Sequence, residues 1–316
     1  MEKRIEYIDS MKGIGIILVM LGHSISRMDQ PLNRVILSFH MPLFFFISGL
    51  LLYSRNIENE ETRIFVTRKI KTLIIPILTV FTLQVCGDLA ENIYKGETVN
   101  LITLSSVNWF LIVYFFMEVI CWCILKITSK NMKTVVLSII CFFISSVFCP
   151  DIIYLKQILI ASTFCMIGFL FRPLCDYCNT YNKSGGGIIL FVICAYLAAY
   201  NSPIGMYKNE YGNIFLFYII AMIGIAAIFC FSIVVYSSSF IKLLGENSII
   251  IYSSHFFVRR VIQIALIILL GIKDCSVYPI FLSVFGCLLL LEYIIIIINP
   301  ELFMDTNARP CPVSGA

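Results

Sequence analysis

Apolar runs long enough to cross a bilayer alternate with short polar breaks along almost the whole chain. A helix rising about 1.5 Å per residue needs roughly 20 apolar residues for that crossing. Ten such runs occupy about residues 11–28, 33–53, 69–86, 107–127, 132–149, 152–171, 186–201, 212–236, 247–270 and 276–298. They predict an all-α, polytopic membrane protein of about ten transmembrane helices, with an integral-membrane domain over 1–299 and a short cytoplasmic tail over 300–316. The longest connections, about 54–68 and 87–106, leave little room for a soluble domain. Ser184-Gly-Gly-Gly187 reads as a flexible loop end, and no internal repeat stands out.

Composition agrees with the pattern. The 316 residues are 59% hydrophobic and 13% charged, where a soluble domain has about 25% charged residues. Mean hydropathy is +0.93. The first residues mix Glu2, Lys3, Arg4, Glu6 and Asp9, and no small-residue cleavage site follows, so the first span is expected to be retained. With a cytoplasmic N-terminus, 15 Lys and Arg fall on the cytoplasmic side and 6 on the outer side. That bias predicts both termini inside. The net charge of +4 contains no Lys/Arg-rich block, so no nucleic-acid partner is expected. The 13 cysteines sit mostly in apolar runs and read as small buried hydrophobes. Cys175 and Cys178 have CxxC spacing, but without a second pair they read as a loop with two thiols.

Ionisable side chains at membrane depth are costly and are the functional suspects. They are His23, His40, Glu118, His255, Arg259, Arg260 and Glu292, and they include every histidine of the chain. Lys12 and His23 stand eleven residues apart. At about 100° and 1.5 Å per residue they share one helix face, roughly 16 Å apart along the axis. Two readings fit that spacing. One is a ligand with an anionic head and a long arm that touches both groups. The other is a snorkelling lysine and a histidine bonded to a neighbouring helix. His40 precedes Met41-Pro42, which is expected to interrupt the second span, and Ser48-Gly49 suits close helix packing. Arg68, Lys69 and Lys71 open the third span, where they serve as topological anchors or as phosphate ligands. Asn108 and Trp109 open the fourth span, with Glu118 deeper in it and in need of a partner. Glu246-Asn247-Ser248 is expected to cap the span that carries His255. No P-loop, G-x-S-x-G or HExxH motif occurs, and no metal site is predicted. The Asn182-Lys-Ser184 sequon falls on the predicted cytoplasmic side.

Several stretches together resemble the membrane acyltransferase 3 family, and within it the fucose 4-O-acetylase-like branch. "YIDSMKGIGIILVMLGH" is similar to the family's opening, a basic residue followed after ten residues by histidine. "FHMPLFFFISGLLLY", "RKIKTLIIP", "NWFLIVYFFMEV", "CMIGFLFRP" and "LGENSIIIYSSH" resemble later blocks, in the family's order. The basic position is Lys12 where many members have Arg, and Leu50 stands where Phe is usual. The resemblance implies a ten-helix bacterial inner-membrane enzyme that moves an acyl group, usually acetyl, from cytoplasmic acyl-CoA to a hydroxyl of a surface or lipid-linked glycan. Acetyl-CoA is then the donor co-substrate, and a carbohydrate or lipid-linked saccharide is the acceptor. On that reading Lys12, Arg68 and Lys71 meet the phosphates, and His23 is the general base or an acyl carrier. His40, Asn108, Trp109, Glu118 and His255 line the acceptor or thioester pocket. Asp9 either orients Lys12 or caps the helix. The rival reading is a glycan exporter or proton-coupled transporter, which buried histidines and a broken helix would also suit.

Overall fold

The computed structural model describes residues 6–24, 30–75, 78, 82, 105–152, 154–181, 185–270 and 285–294. The described residues form helices joined by short connections. They are α1 (Glu6–Ser24), α2 (Pro31–Ser54), α3 (Thr62–Lys69) running into a π-helical turn (Ile70–Ile74), α4 (Ser105–Ile127), α5 (Met132–Phe148), α6 (Leu155–Thr180), α7 (Gly187–Tyr200), α8 (Ile214–Val235), α9 (Ser239–Glu246), α10 (Ser248–Leu270) and α11 (Phe285–Ile294). The only β pairing among them is an isolated bridge between Gly205 and Glu210. The all-α expectation therefore holds. Most of the 87–106 loop, the far end of the third expected span, the start of the tenth and the tail 300–316 lie outside the described residues.

Among the described residues α2, the Trp109–Ile127 part of α4, α6 and α8 are long and apolar enough to cross a membrane. Their neighbours turn large apolar side chains outward. Ile188 is 72% exposed on α7 and Phe148 81% exposed at the end of α5. In water such surfaces would drive association, whereas lipid covers them at no cost.

The chain divides into two compact units, residues 28–227 and residues 1–27 with 228–316. In the larger unit, α2 is packed against α6 through small residues. A Cβ on Gly49 would collide with the Cys165 carbonyl and the Phe169 nitrogen, and one on Gly168 would collide with the Phe46 carbonyl. Backbones that close gain dispersion contact along their length, the main attraction available between helices in lipid. Tyr53 then packs on Phe169 with ring centroids 5.1 Å apart. Tyr218 of α8 stacks on Phe164 of α6 at 5.1 Å and shares a 2.9 Å hydrogen bond with Ser146 of α5.

The structure corrects four expectations here. Pro42 does not interrupt α2, which runs unbroken from Pro31 to Ser54. A proline removes one N–H, and a helix held by neighbours over most of its length tolerates that loss. The third helical segment starts at Thr62, seven residues before the expected span. α6 runs nine residues beyond the expected 171, so Arg172, Cys175 and Cys178 are helical rather than in a loop. The buried Arg172 makes that extension possible, because its guanidinium bonds the Leu50 carbonyl at 2.7 Å and Asp176 at 2.8 Å. Finally, the segment before α10 is itself a helix, α9, capped by Ser238 accepting from the Ile241 N–H at 3.4 Å. Asn247 closes α9 and also opens α10: its side chain donates to the Leu243 carbonyl at 2.8 Å, and its own carbonyl accepts from the Ile250 and Ile251 N–H groups at 3.0 Å.

In the smaller unit, α1 crosses α9 at two glycines. A Cβ on Gly13 would strike the Ile241 carbonyl, and one on Gly245 would strike the Asp9 carbonyl. Tyr7 packs edge-on against Phe229 at 5.6 Å. This crossing fixes the helix that carries Lys12 and His23.

Candidate active site

α1 places two acidic residues, Glu6 and Asp9, in its first turn and His23 in its last, which suits the positive N-terminal and negative C-terminal ends of a helix. Asp9 is buried and accepts from Lys12 Nζ at 3.4 Å. Asp9 lies inside the helix, so it orients Lys12 and is not the N-cap. Glu6 pairs with Lys242 of α9 at 3.0 Å, a second tie at the α1 end that carries Lys12.

At the other end of α1, His23 meets His255 of α10. Their ring centroids are 5.2 Å apart and the rings are tilted by 32°. His255 is fully buried, and its Nδ1 lies 2.7 Å from the Tyr252 carbonyl and 3.2 Å from the Ile251 carbonyl. Carbonyl oxygens only accept, so Nδ1 carries the hydrogen, and in the neutral ring Nε2 carries the lone pair. The neighbouring Ser254 hydroxyl lies 2.8 and 3.0 Å from the two carboxyl oxygens of Glu292, which is buried on α11. Two of the three histidines singled out in the sequence thus form one pair. The third, His40, belongs to the larger unit, where its Nδ1 lies 2.8 Å from the Ile36 carbonyl.

The larger unit holds its own buried polar cluster. Glu118 of α4 forms an ion pair with Lys69 at the end of α3 and accepts from the Ser48 hydroxyl at 2.7 Å. Glu118 is 3% exposed, so the partner it needed in the sequence is Lys69. Of the three basic residues that open the third span, the donor-site assignment names Arg68 and Lys71, and it is Lys69 that meets Glu118. A helical step of about 100° is the missed signal, because Arg68 and Lys71 share a face and Lys69 does not. The π-helical turn begins immediately after it, a distortion that often marks functional positions.

Arg68 pairs with Glu60, which also pairs with Arg55 at 3.3 Å. Glu60 further accepts from the Trp122 indole N–H at 3.1 Å, and its backbone carbonyl accepts from Lys126. The Trp122 ring stacks on Phe65 at 4.5 Å, nearly parallel. Lys71 is exposed. Trp109 is half-buried beside Phe110, with ring centroids 6.1 Å apart. The side chains of Asn108 and Arg260 lie outside the described residues.

The model for the acyltransferase domain matches residues 5–298. No curated protein and no solved structure is significantly similar to the chain. The match covers α1 with its Lys12–His23 face, every other described helix, and both polar clusters. It also decides between the two function classes left open by buried histidines, in favour of an enzyme over a transporter. The apolar helical architecture and this match together place the chain in the membrane acyltransferase 3 family, and the protein is an acyltransferase.

Proposed function

We propose that the protein is a membrane O-acyltransferase that moves an acetyl group from cytoplasmic acetyl-CoA to a hydroxyl of a surface or lipid-linked glycan. The observation that carries this reading is the arrangement of α1. A carboxylate-tethered Lys12 and His23, whose ring meets His255 of α10, lie on one helix, with Lys12 and His23 on one face about 16 Å apart. That distance suits a phosphate-bearing head at Lys12 and a pantetheine arm reaching His23. Lys12 meets a phosphate as a point charge, where an arginine would offer a bidentate fork.

In the proposed reaction, neutral His23 removes the proton of the acceptor hydroxyl while the oxygen bonds to the thioester carbon. The carbon–sulfur bond then breaks, and the departing thiolate takes the proton from the His23 imidazolium. The products are an ester and the free thiol of CoA. Arg68 and Lys71 are proposed phosphate contacts on charge and chain position alone. His40, Asn108, Trp109, Glu118 and His255 are proposed substrate contacts on residue type and chain position alone. We place the enzyme in a bacterial inner membrane with ten spans and both termini cytoplasmic, in the fucose 4-O-acetylase-like branch.

Two measurements test this reading. Mass spectrometry of surface polysaccharide from cells with and without the gene is expected to show O-acetyl groups only where the gene is present. Identical spectra would remove the glycan acceptor. Purified protein is expected to bind labelled acetyl-CoA, and Lys12→Ala to weaken that binding by about tenfold, in line with losing one charge-assisted contact. Unchanged affinity would remove Lys12 from the donor site.

A further inference from the structure

The pairing of His23 with His255 bears on what each ring does. Three observations bear on it. The rings are 5.2 Å apart, close enough for either to feel the other's charge. His255 is fully buried, whereas His23 is partly exposed. And His255 is held in one tautomer, because Nδ1–H is committed to the Tyr252 and Ile251 carbonyls of its own helix. A histidine that binds substrate by either nitrogen would not need that commitment. A ring fixed in orientation, neutral, and with its lone pair at Nε2 is suited to sit beside another ring that must gain and lose a proton.

Two imidazoles at this distance are coupled, so a proton gained by one is felt by the other. We propose that His255 is a positioning residue for the base. It packs the His23 ring in place and stabilises the positive charge that His23 acquires when it takes the acceptor proton. The proposal rests on the reading of His23 as the base. It changes the role of His255 from a pocket wall to a partner of that base.

The other ionisable groups around the pair are Tyr252, 5.7 Å ring to ring from His255, and Arg259 on α10. The Asp9–Lys12 pair lies on α1, Lys242 and Glu246 on α9, and Glu292 behind Ser254 on α11. All are retained in the variants that test the idea, so a change in pH profile reports on His255 itself.

The test uses the full-length protein in membrane vesicles of its host, which carry the acceptor glycan, and follows thiol release from acetyl-CoA against pH. His255→Phe keeps a ring and removes both nitrogens. His255→Gln restores a polar group near the position of Nε2. Wild type and both variants are first compared by thermal unfolding in detergent, so that only folded protein is scored.

His255→Phe is expected to lower kcat about tenfold with the KM for acetyl-CoA within about twofold of wild type. The acid limb of the pH profile is expected to move about one unit lower, because the His23 imidazolium has lost its stabilising neighbour. His255→Gln is expected to recover part of both changes. If His255→Phe lowers kcat and leaves the acid limb in place, the ring is only packing and the proposal is overturned. Wild-type rates in both variants overturn it as well. The underlying reading is tested separately by His23→Ala. If that variant retains transfer, the base assignment is lost, and an effect at His255 would no longer be attributable to His23.

Discussion

At the scale of single residues, several of the described ionisable groups at depth are engaged by specific neighbours. Glu118 shows the cost of that arrangement. A carboxylate taken out of water loses several kcal/mol of hydration, and Lys69 with the Ser48 hydroxyl offsets the loss. Removing one partner leaves the other charge buried. Lys69→Ala is therefore expected to destabilise the protein by about 3–5 kcal/mol, whereas the double change Lys69→Met with Glu118→Leu, which removes both charges and keeps the volume, is expected to cost far less. Thermal unfolding of the two variants in one detergent checks this. Equal losses would mean that the pair is not an isolated buried charge pair. The sequence showed that Glu118 needed a partner, but the choice of Lys69 depends on where α3 ends and how its last turn faces α4. A reading of one helix at a time cannot supply that. His23 and His255 are a similar case. Each was recognisable as a histidine in an apolar run, and their pairing required two residues 232 positions apart in the chain to meet.

At the scale of elements, close approach between backbones explains what the hydrophobic pattern alone could not. Apolar runs located α2, α4, α6 and α8 well, because span length is set by bilayer thickness. They missed the reach of α6, whose last turns are polar and are held by Arg172 bonding to α2. They missed α9, which is too short for a span and begins at a serine cap. The small pair Ser48-Gly49 was legible as packing, and Gly168 is its counterpart. Gly49→Val must push α2 away from α6, since the added atoms meet backbone that cannot rotate aside. The expected result is a lower unfolding temperature and a reduced yield of folded protein, read by fluorescence-detected size exclusion. A wild-type profile for Gly49→Val would contradict the tight α2–α6 crossing. The α1–α9 crossing at Gly13 and Gly245 has a different consequence, because it fixes the helix that carries Lys12. Gly13→Val is expected to lower transfer as well as stability.

At the scale of the whole molecule, the described helices and the family match agree on an apolar helical enzyme. The proposed orientation, read from the charge bias, has both termini in the cytoplasm. A fluorescent protein fused after residue 316 is accordingly expected to be bright, and a phosphatase active only outside the cytoplasm, fused at the same point, is expected to be silent. The reverse pattern would invert the assignment of sides and move Lys12 away from the proposed cytoplasmic donor. The candidate site was less legible than the fold because a site is assembled from several helices, while each span is defined by its own composition. The central claim is that His23 is the base of acyl transfer. Its most direct test is the O-acetyl content of the host glycan in cells making wild type or His23→Ala at matched membrane levels, alongside acetyl-CoA binding by each purified protein. The account predicts loss of acetylation by a factor of at least about 10², with acetyl-CoA binding retained. Near-wild-type acetylation by His23→Ala would contradict it.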